Sequence, residues 1–190
     1  MKNSLLFLVF VTSLSIFGQN GSMGFKGGFN FSTLVGDNTN EVEGRTAFHV
    51  GLMVEVPITD RIFIQPELLY SSKGFKGDFD GSNLDNRFNY LDFPLLFKYF
   101  LTDEFNVVIG PQGSLLLSAV SSSDSRKDET INGIKGVDFG LNLGFGFKFK
   151  SNFAFDVRFS PGLSNINDRD NFDDINKNST FLLSVGYFLK

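Results

Sequence analysis

The sequence predicts an all-β fold, an eight-stranded antiparallel up-and-down transmembrane β-barrel. Three observations support this prediction. Apolar residues recur at every second position in eight segments, the connections between these segments alternate between long and short, and the 190 residues include 25 Phe and 20 Gly. A period of two is typical of strands with one apolar face, and an even number of strands with short turns at one end and long loops at the other is typical of outer-membrane barrels.

Residues 1–18 are predicted to form a secretory signal peptide. Lys2 supplies a positively charged start, and residues 5–17 form an apolar stretch that is too short to span a bilayer comfortably. We expect cleavage after Gly18, which leaves residues 19–190 as the outer-membrane β-barrel domain. An uncleaved membrane anchor is the alternative, and the shortness of the apolar stretch disfavours it.

Eight segments of the mature chain then alternate between bulky apolar residues and small or polar ones. In the first segment Phe25 and Phe29 share one face while Lys26 lies on the other. The alternation is most regular in the sixth and seventh segments. The third and fourth contain Pro66 and Pro94, which cannot donate to a strand ladder and predict a bulge or a locally broken pairing. A strand of about 11 residues, tilted, rises about 28 Å, which is enough for an apolar band of about 25 Å. The predicted strands are Met23–Phe31, Ala47–Val56, Ile62–Ser71, Leu91–Tyr99, Phe105–Leu115, Val137–Phe147, Phe153–Ser160 and Phe181–Leu189.

The predicted connections alternate in length. Residues 34–45, 73–89, 119–134 and 164–179 are long and polar, whereas residues 57–61, 101–104 and 148–152 are short. In an outer-membrane barrel the short turns face the periplasm and the long loops face outward. The sequence therefore predicts periplasmic termini and four exposed loops.

The composition excludes several other classes of protein. A chain with 42% apolar and 20% charged residues is not intrinsically disordered. The absence of Cys excludes a disulfide scaffold, a thiolate zinc site and a cysteine nucleophile. A net charge of −4 gives no basic face for nucleic acid, so we expect no nucleic-acid partner.

The size of the side chains predicts which face of each strand points outward. The interior of an eight-stranded barrel is just wide enough for side chains to fill, so bulky residues must lie outside and the many glycines inside. The alternative is a soluble, lipocalin-like barrel with its apolar residues inside. Tyr70, Tyr90, Tyr99 and Tyr187 are expected interface anchors near strand ends. The predicted lipid-facing residues include Phe25, Phe29, Phe93, Phe97, Phe139, Phe145, Phe155 and Val157.

The opposite face predicts a polar network inside the lumen. Its ionisable members are Lys26, His49, Glu55, Glu67, Asp92, Lys98, Asp138, Asp156 and Arg158. Isolated buried ions cost several kcal/mol each, so these groups are expected to pair and to fill the lumen. A continuous polar pore is the alternative, and a barrel of only eight strands disfavours it.

Some polar residues are of the types that serve as catalytic groups. His49, the only histidine, faces the predicted lumen and could in principle meet Asp138 and a serine, namely Ser71, Ser72 or Ser118. Glu55 and Glu67 could pair across two strands, but a filled lumen offers no substrate cleft. We therefore expect hydrogen-bonded lumen residues and no catalytic site.

One acidic segment invites comparison with calcium-binding loops. Asp168, Asp170, Asp173 and Asp174 could gather a hard cation, but Phe172 and a missing glycine break the EF-hand spacing. We expect a solvated acidic loop, with neither a metal site nor a cofactor.

Several segments carry a resemblance to a known family. They are GFKGGFNFS from Gly24, IQPELLYSSKGFK from Ile64, NYLDFPLLFKYF from Asn89, GPQGSLLLS from Gly110, GVDFGLNLGFGFKF from Gly136 and the closing SVGYFLK. Over residues 23–190 the chain resembles the PorT-like family of outer-membrane β-barrels of Gram-negative bacteria. The resemblance implies contact with outer-membrane lipid and lipopolysaccharide. One member type of the family belongs to a protein-secretion apparatus.

These observations together favour a non-enzymatic structural or surface-interaction protein of the outer membrane, without cofactor. The alternatives are a subunit of a protein-secretion or envelope complex with envelope proteins as partners, a soluble small-molecule-binding barrel, and a lipid-acting membrane enzyme.

Overall fold

Nine antiparallel strands, each hydrogen-bonded to its neighbours, make up most of the described chain. The computed structural model describes residues 21–37, 42–79, 82–123, 126–131, 133–167 and 175–189. Within these ranges the strands are β1 (Ser22–Gly36), β2 (Val42–Pro57), β3 (Ile62–Phe79), β4 (Ser82–Phe100), β5 (Phe105–Ser123), β6 (Arg126–Thr130), β7 (Val137–Lys148), β8 (Phe153–Pro161) and β9 (Asn176–Phe188). None of the residues in these ranges belongs to a helix long and apolar enough to cross a membrane.

The sheet closes into a ring because β4 pairs with both β3 and β5. The order around the ring is β1, β2, β3, β4, β5, β7, β8 and β9, and β9 pairs back with β1. This arrangement confirms the predicted eight-stranded antiparallel up-and-down barrel. The short strand β6 is not part of the ring and pairs with the end of β5. The sequence did not predict β6, because its residues, RKDET, show no apolar alternation.

The two ends of the barrel differ in their connections. At one end, here called the turn end, residues 58–61, 101–104 and 149–152 join consecutive ring strands. Two of these turns share one hydrogen-bond pattern, in which a threonine hydroxyl accepts from the N–H three residues later. Thr59 Oγ1 accepts from the Ile62 N–H at 3.0 Å, and Thr102 Oγ1 accepts from the Phe105 N–H at 2.9 Å. The opposite end is here called the hairpin end.

The strands run further toward the hairpin end than the sequence predicts. Residues 73–89, predicted as a long loop, are mostly strand, because β3 continues to Phe79 and β4 begins at Ser82. β1, β5 and β9 also extend into segments predicted as loops. The prediction was wrong there because it relied on apolar alternation, whereas these strand ends are stabilised by antiparallel pairing.

Side chains alternate between the lumen and the outer face along the ring strands. In β4, for example, Asp92, Leu96 and Lys98 are buried while Leu95 and Phe97 are exposed. The buried set around the ring is mostly polar, with a minority of bulky residues such as Phe88 and Phe188, and the exposed set is dominated by Phe, Leu, Ile and Val. The barrel thus carries most of its bulky apolar residues outside.

The ladders are irregular at a few places. The β3–β4 ladder runs to Pro66 with Leu95 and resumes in the same register at Leu69 with Asp92, so the pairing is interrupted beside the proline without a bulge. True shifts of register occur elsewhere, between Gly44 and His49 in the β2–β3 ladder and between Asn89 and Tyr90 in the β4–β5 ladder. A cleft lies at the β2–β3 shift, as described below.

Inward glycines allow neighbouring strands to approach closely, and Gly28 is the clearest case. A Cβ atom at Gly28 would lie 2.0 Å from the Leu183 carbonyl oxygen and 2.9 Å from His49 Cε1. We expect Gly28→Ala to lower the free energy of unfolding by about 1–3 kcal/mol, because a backbone carbonyl cannot move aside without disturbing the ladder. The matched control is Gly27→Ala, whose Cβ would meet the nearest atom at 3.5 Å. Equal losses in urea unfolding of the two variants would contradict this explanation.

Candidate functional site

The first group of charged side chains in the lumen surrounds Glu67 on β3. Arg158 of β8 donates to both carboxylate oxygens, from Nη1 at 2.7 Å and from Nη2 at 2.8 Å, and Lys26 Nζ of β1 lies 3.1 Å from Oε1. Asp156 completes the group, 2.7 Å from both Lys26 Nζ and Arg158 Nε. These four residues, here called the Glu67 cluster, contain two cations and two anions. Both the Glu67 and Arg158 side chains are 2% exposed or less, so their charges are compensated inside the protein.

A second group, here called the Glu55 cluster, lies nearer the turn end. Glu55 pairs with Lys98 at 2.8 Å and with Lys148, whose Nζ also lies over the Phe188 ring. Gln65 joins the two clusters, since it accepts from Lys98 Nζ at 3.0 Å and donates to Glu67. The polar groups of β1, β2, β3, β4, β7 and β8 are therefore linked across the lumen.

His49 is buried in the lumen, and its ring nitrogens contact an amide and a hydroxyl rather than a described carboxylate. Its Nδ1 lies 2.8 Å from Asn30 Oδ1 and its Nε2 lies 2.9 Å from Ser184 Oγ. Asn30 donates in turn to Ser71 Oγ at 2.9 Å, which leaves its amide oxygen for the imidazole N–H. A Ser-His-Asp arrangement with Asp138 is not formed. The histidine instead joins β1, β2 and β9 through one chain of hydrogen bonds.

Two further acidic residues anchor the hairpin half of the lumen. Asp92 pairs with Lys73 at 2.9 Å, and Asp138 accepts from Asn178 Nδ2 at 2.8 Å and from Ser164 Oγ at 2.5 Å. The sequence did not predict the partner of Asp92, because Lys73 fell in a segment predicted as loop.

An apolar group, here called the apolar cap, closes the lumen toward the hairpin end. Phe88, Tyr90, Ala119 and Ile166 are its buried members. Ile166 belongs to the link between β8 and β9, which is held in place by hydrogen bonds from the Lys135 N–H to the Ile166 oxygen and from the Ile166 N–H to the Asn176 oxygen. Tyr90 was predicted to anchor the membrane interface, and this prediction is wrong: the side chain is fully buried and its hydroxyl accepts from Asn178 Nδ2 at 3.3 Å.

The predicted lipid-facing residues all lie on the outer face of the barrel. Phe25, Phe29, Phe97, Phe139, Phe145 and Phe155 are exposed, and Phe93 and Val157 are half-buried between outward neighbours on adjacent strands. Together with the other exposed apolar residues of the ring they form a continuous band, here called the apolar belt.

Little room remains between the polar groups. The space bounded by Met53, Gln65, Lys98, Asn106 and Arg158 measures about 10 Å³, which is about the size of one water. Among the described residues no group of three or more acidic or histidine side chains could hold a metal ion. The acidic segment that includes Asp168 and Asp174 lies outside the described residues.

Comparison with known families identifies this kind of barrel. Residues 17–168 match the family described as the outer membrane protein beta-barrel domain. The chain belongs to this family. It is therefore a protein of the outer membrane, as the sequence predicts. A comparison with curated proteins finds no match.

Solved structures show the same fold as this outer-membrane barrel. Ail, the attachment invasion locus protein of Yersinia pestis, superposes with a TM-score of 0.56 at 15% identity, and the alignment covers 90% of this chain and 100% of Ail. Neisserial surface protein A superposes with a TM-score of 0.59 at 9% identity, with the same coverage. At these identities the likeness concerns the fold.

The hairpin end of the outer-membrane barrel carries an open polar groove, and a second groove of about 610 Å³, bordered by Asp60, Arg61 and Lys150, lies at the turn end. A groove of about 490 Å³ lies between the ends of β2, β3, β4 and β5, and its lining includes Glu43, Lys76, Asn83, Asp85 and Ser122. Sequence reasoning missed this surface, because it treated these residues as parts of separate loops rather than as paired strands.

Proposed function

We propose that the chain is a non-enzymatic outer-membrane protein whose closed barrel serves as a scaffold and whose hairpin end is an interaction surface. The turn end then faces the periplasm, the apolar belt contacts lipid, and residues 1–18 are removed as a signal peptide. The observation that carries the proposal is the filling of the lumen. A barrel that neither conducts nor encloses a substrate cleft can act only through its surfaces.

Described side chains occupy both halves of the lumen, and they are held there by different contacts. Near the turn end the Glu55 and Glu67 clusters link strands on opposite sides of the barrel through buried ion pairs. Toward the hairpin end, Asp92 pairs with Lys73 below the apolar cap. Opening such a path would require unpaired buried charges, which cost several kcal/mol each.

The hairpin end supports the second half of the proposal. Its groove is lined by side chains of both charges, Glu43 and Asp85 against Lys76, and by the serines of β5. A mixed polar surface on strands that project beyond the apolar belt fits a protein partner better than an apolar ligand. The resemblance to the PorT-like family makes a subunit of an envelope or secretion complex the second candidate, and the same groove would be its contact surface.

Site-directed labelling tests both parts of the proposal, since the chain contains no native Cys. In intact cells we expect a membrane-impermeant maleimide to label Lys76→Cys at the hairpin end but not Asp103→Cys at the turn end. The purified barrel in planar bilayers is expected to show no conductance steps. The reverse labelling pattern would invert the orientation, and regular conductance steps would show that the lumen is open.

A shortened hairpin separates the partner surface from the scaffold. Lys76 pairs directly with Asp85, so residues 77–84 can be replaced by a two-residue Asn-Gly turn that suits an antiparallel hairpin. We expect complexes that crosslink through Glu43→Cys in intact cells to disappear in this variant while the barrel still folds. A two-residue substitution at the turn end, Thr102-Asp103 replaced by Asn-Gly, is the control and is expected to preserve them. Complexes that persist without the hairpin would contradict the assigned surface.

A further inference from the structure

The pairing of β2 with β3 is interrupted toward the hairpin end. The β2–β3 ladder breaks between the pair of Gly44 with Phe75 and the pair of His49 with Ser71. Residues 45–48 of β2 therefore lie opposite residues 72–74 of β3, and no ladder pairs join these two segments. A cleft of about 440 Å³ lies at this break.

The cleft lies at the edge of the apolar belt. Phe48 and Tyr70 border it on the belt side, with their ring centroids 5.8 Å apart. Phe48 is exposed on the outer face, and so is Phe31, which pairs with Thr46 at the cleft. Beyond the cleft toward the hairpin end the strands carry charged residues. The cleft thus marks the boundary between the apolar belt and the polar surface.

Two arginines border the cleft, which no acidic side chain lines among the described residues. Arg45 is mostly buried, and Asp85 at 2.7 Å holds its Nε in place. Arg87 Nη2 reaches Asp128 at 3.2 Å, whereas its Nε is buried and has no hydrogen-bond partner in the described part of the chain. The Arg87 side chain is 39% exposed, so an anionic oxygen in the cleft can approach its guanidinium group.

We propose that this cleft, here called the Arg87 cleft, binds the phosphate of an anionic lipid of the surrounding leaflet. The inference rests on the proposed lipid contact of the apolar belt. Arg87, supported by Arg45, donates to the phosphate oxygens, a geometry for which guanidinium groups are well suited. The acyl chains then lie against Phe48 and Tyr70, and Asn89 and Thr46 offer further polar atoms at the headgroup.

The surroundings favour a lipid over a free anion. A soluble phosphate would use the guanidinium groups alone, whereas a lipid also covers the exposed Phe48 ring beside them. Aromatic residues at the level of the headgroups are typical of membrane interfaces. Asp128 competes with the phosphate for Arg87; the Ser122 hydroxyl and the Arg87 guanidinium keep the pKa of this carboxyl below its usual range.

Native mass spectrometry of the folded barrel in detergent tests the site. The anionic probe is a short-chain phosphatidylglycerol, and the zwitterionic probe is a phosphatidylcholine with the same acyl chains. We expect Arg87→Gln to weaken phosphatidylglycerol binding about tenfold or more, because hydrogen bonds to charged groups are lost. Asp128→Asn is expected to strengthen it, since the competing carboxylate is removed. Arg61→Gln at the turn end is the matched control and is expected to leave the affinity unchanged.

The outcomes separate this site from the proposed function as a whole. Wild-type affinity in Arg87→Gln, or equal binding of the two lipids, would overturn the site even if the barrel is closed and oriented as proposed. Displacement of the lipid by millimolar inorganic phosphate would show a general anion site and would overturn the lipid assignment. Tighter lipid binding by Asp128→Asn together with weaker lipid binding by Arg87→Gln supports the proposed site. If Arg87 had a purely structural role, both substitutions would weaken lipid binding.

Discussion

Replacing Glu67 by Gln is expected to lower the free energy of unfolding of the barrel by about 3–5 kcal/mol, the range found when one partner of a buried ion pair is removed. Glu67 faces Arg158 through two hydrogen bonds and Lys26 through a third contact. In the variant the two cations share Asp156 alone, and one positive charge stays uncompensated in a lumen closed to water. Equilibrium unfolding from lipid vesicles measures the change.

Two controls show whether the buried charge is the cause. Asp85→Asn removes the carboxylate of the partly exposed pair with Arg45 and is expected to cost about 1 kcal/mol or less. In the double variant Glu67→Met with Arg158→Met, Lys26 and Asp156 still pair, so we expect most of the lost stability to return. A double variant that is less stable than Glu67→Gln would show that packing of the side chains, rather than compensation of charge, explains the loss.

Val157→Arg is expected to destabilise the barrel in a bilayer by about 2–4 kcal/mol, as charged residues do at the middle of the lipid-facing surface. Val157 lies on the outer face of β8 between Phe145 of β7 and Leu183 of β9. The guanidinium must therefore enter the hydrocarbon or pull the strand toward the interface. Unfolding in vesicles against wild type measures this cost.

The same substitution near the hairpin end provides the control. Val35 is exposed on β1 and pairs with Lys177 of β9, so an arginine there already has a charged neighbour beyond the apolar belt. We expect Val35→Arg to cost about 0–1 kcal/mol, the range for positions near the interface. Equal costs at Val35 and Val157 would mean that the apolar belt does not face lipid.

The ring of strands could be predicted because alternation with a period of two is a local property. Phe153 and Phe155 predict one face of β8 without any knowledge of its neighbours. The facing assignment followed from volume, since a narrow lumen cannot hold the Phe residues. Tyr90 and Asp92 are two residues apart on β4 and therefore lie on the same face of the strand. Alternation with a period of two thus already indicates that the Tyr90 side chain points into the lumen.

The partners inside the lumen could not be predicted, because they depend on the register between strands. Lys73 meets Asp92 only because β3 continues past the apolar belt, and Arg158 meets Glu67 across the lumen from a strand that is not its neighbour. Ile166 lies in a polar link without alternation, and only the folded link brings it into the apolar cap. The Arg87 cleft depends on a shift of register that no composition or spacing indicates.

Spin-label accessibility along β9 tests the central claim, that bulky residues face lipid while small and polar residues fill the lumen. Single cysteines at positions 181 to 185 can be labelled without competing thiols, since the native chain contains none. In a bilayer, collisions with dissolved oxygen are expected to peak at Phe181, Leu183 and Val185 and to fall at Leu182 and Ser184. Peaks at Leu182 and Ser184, or accessibility without a period of two, would contradict the account.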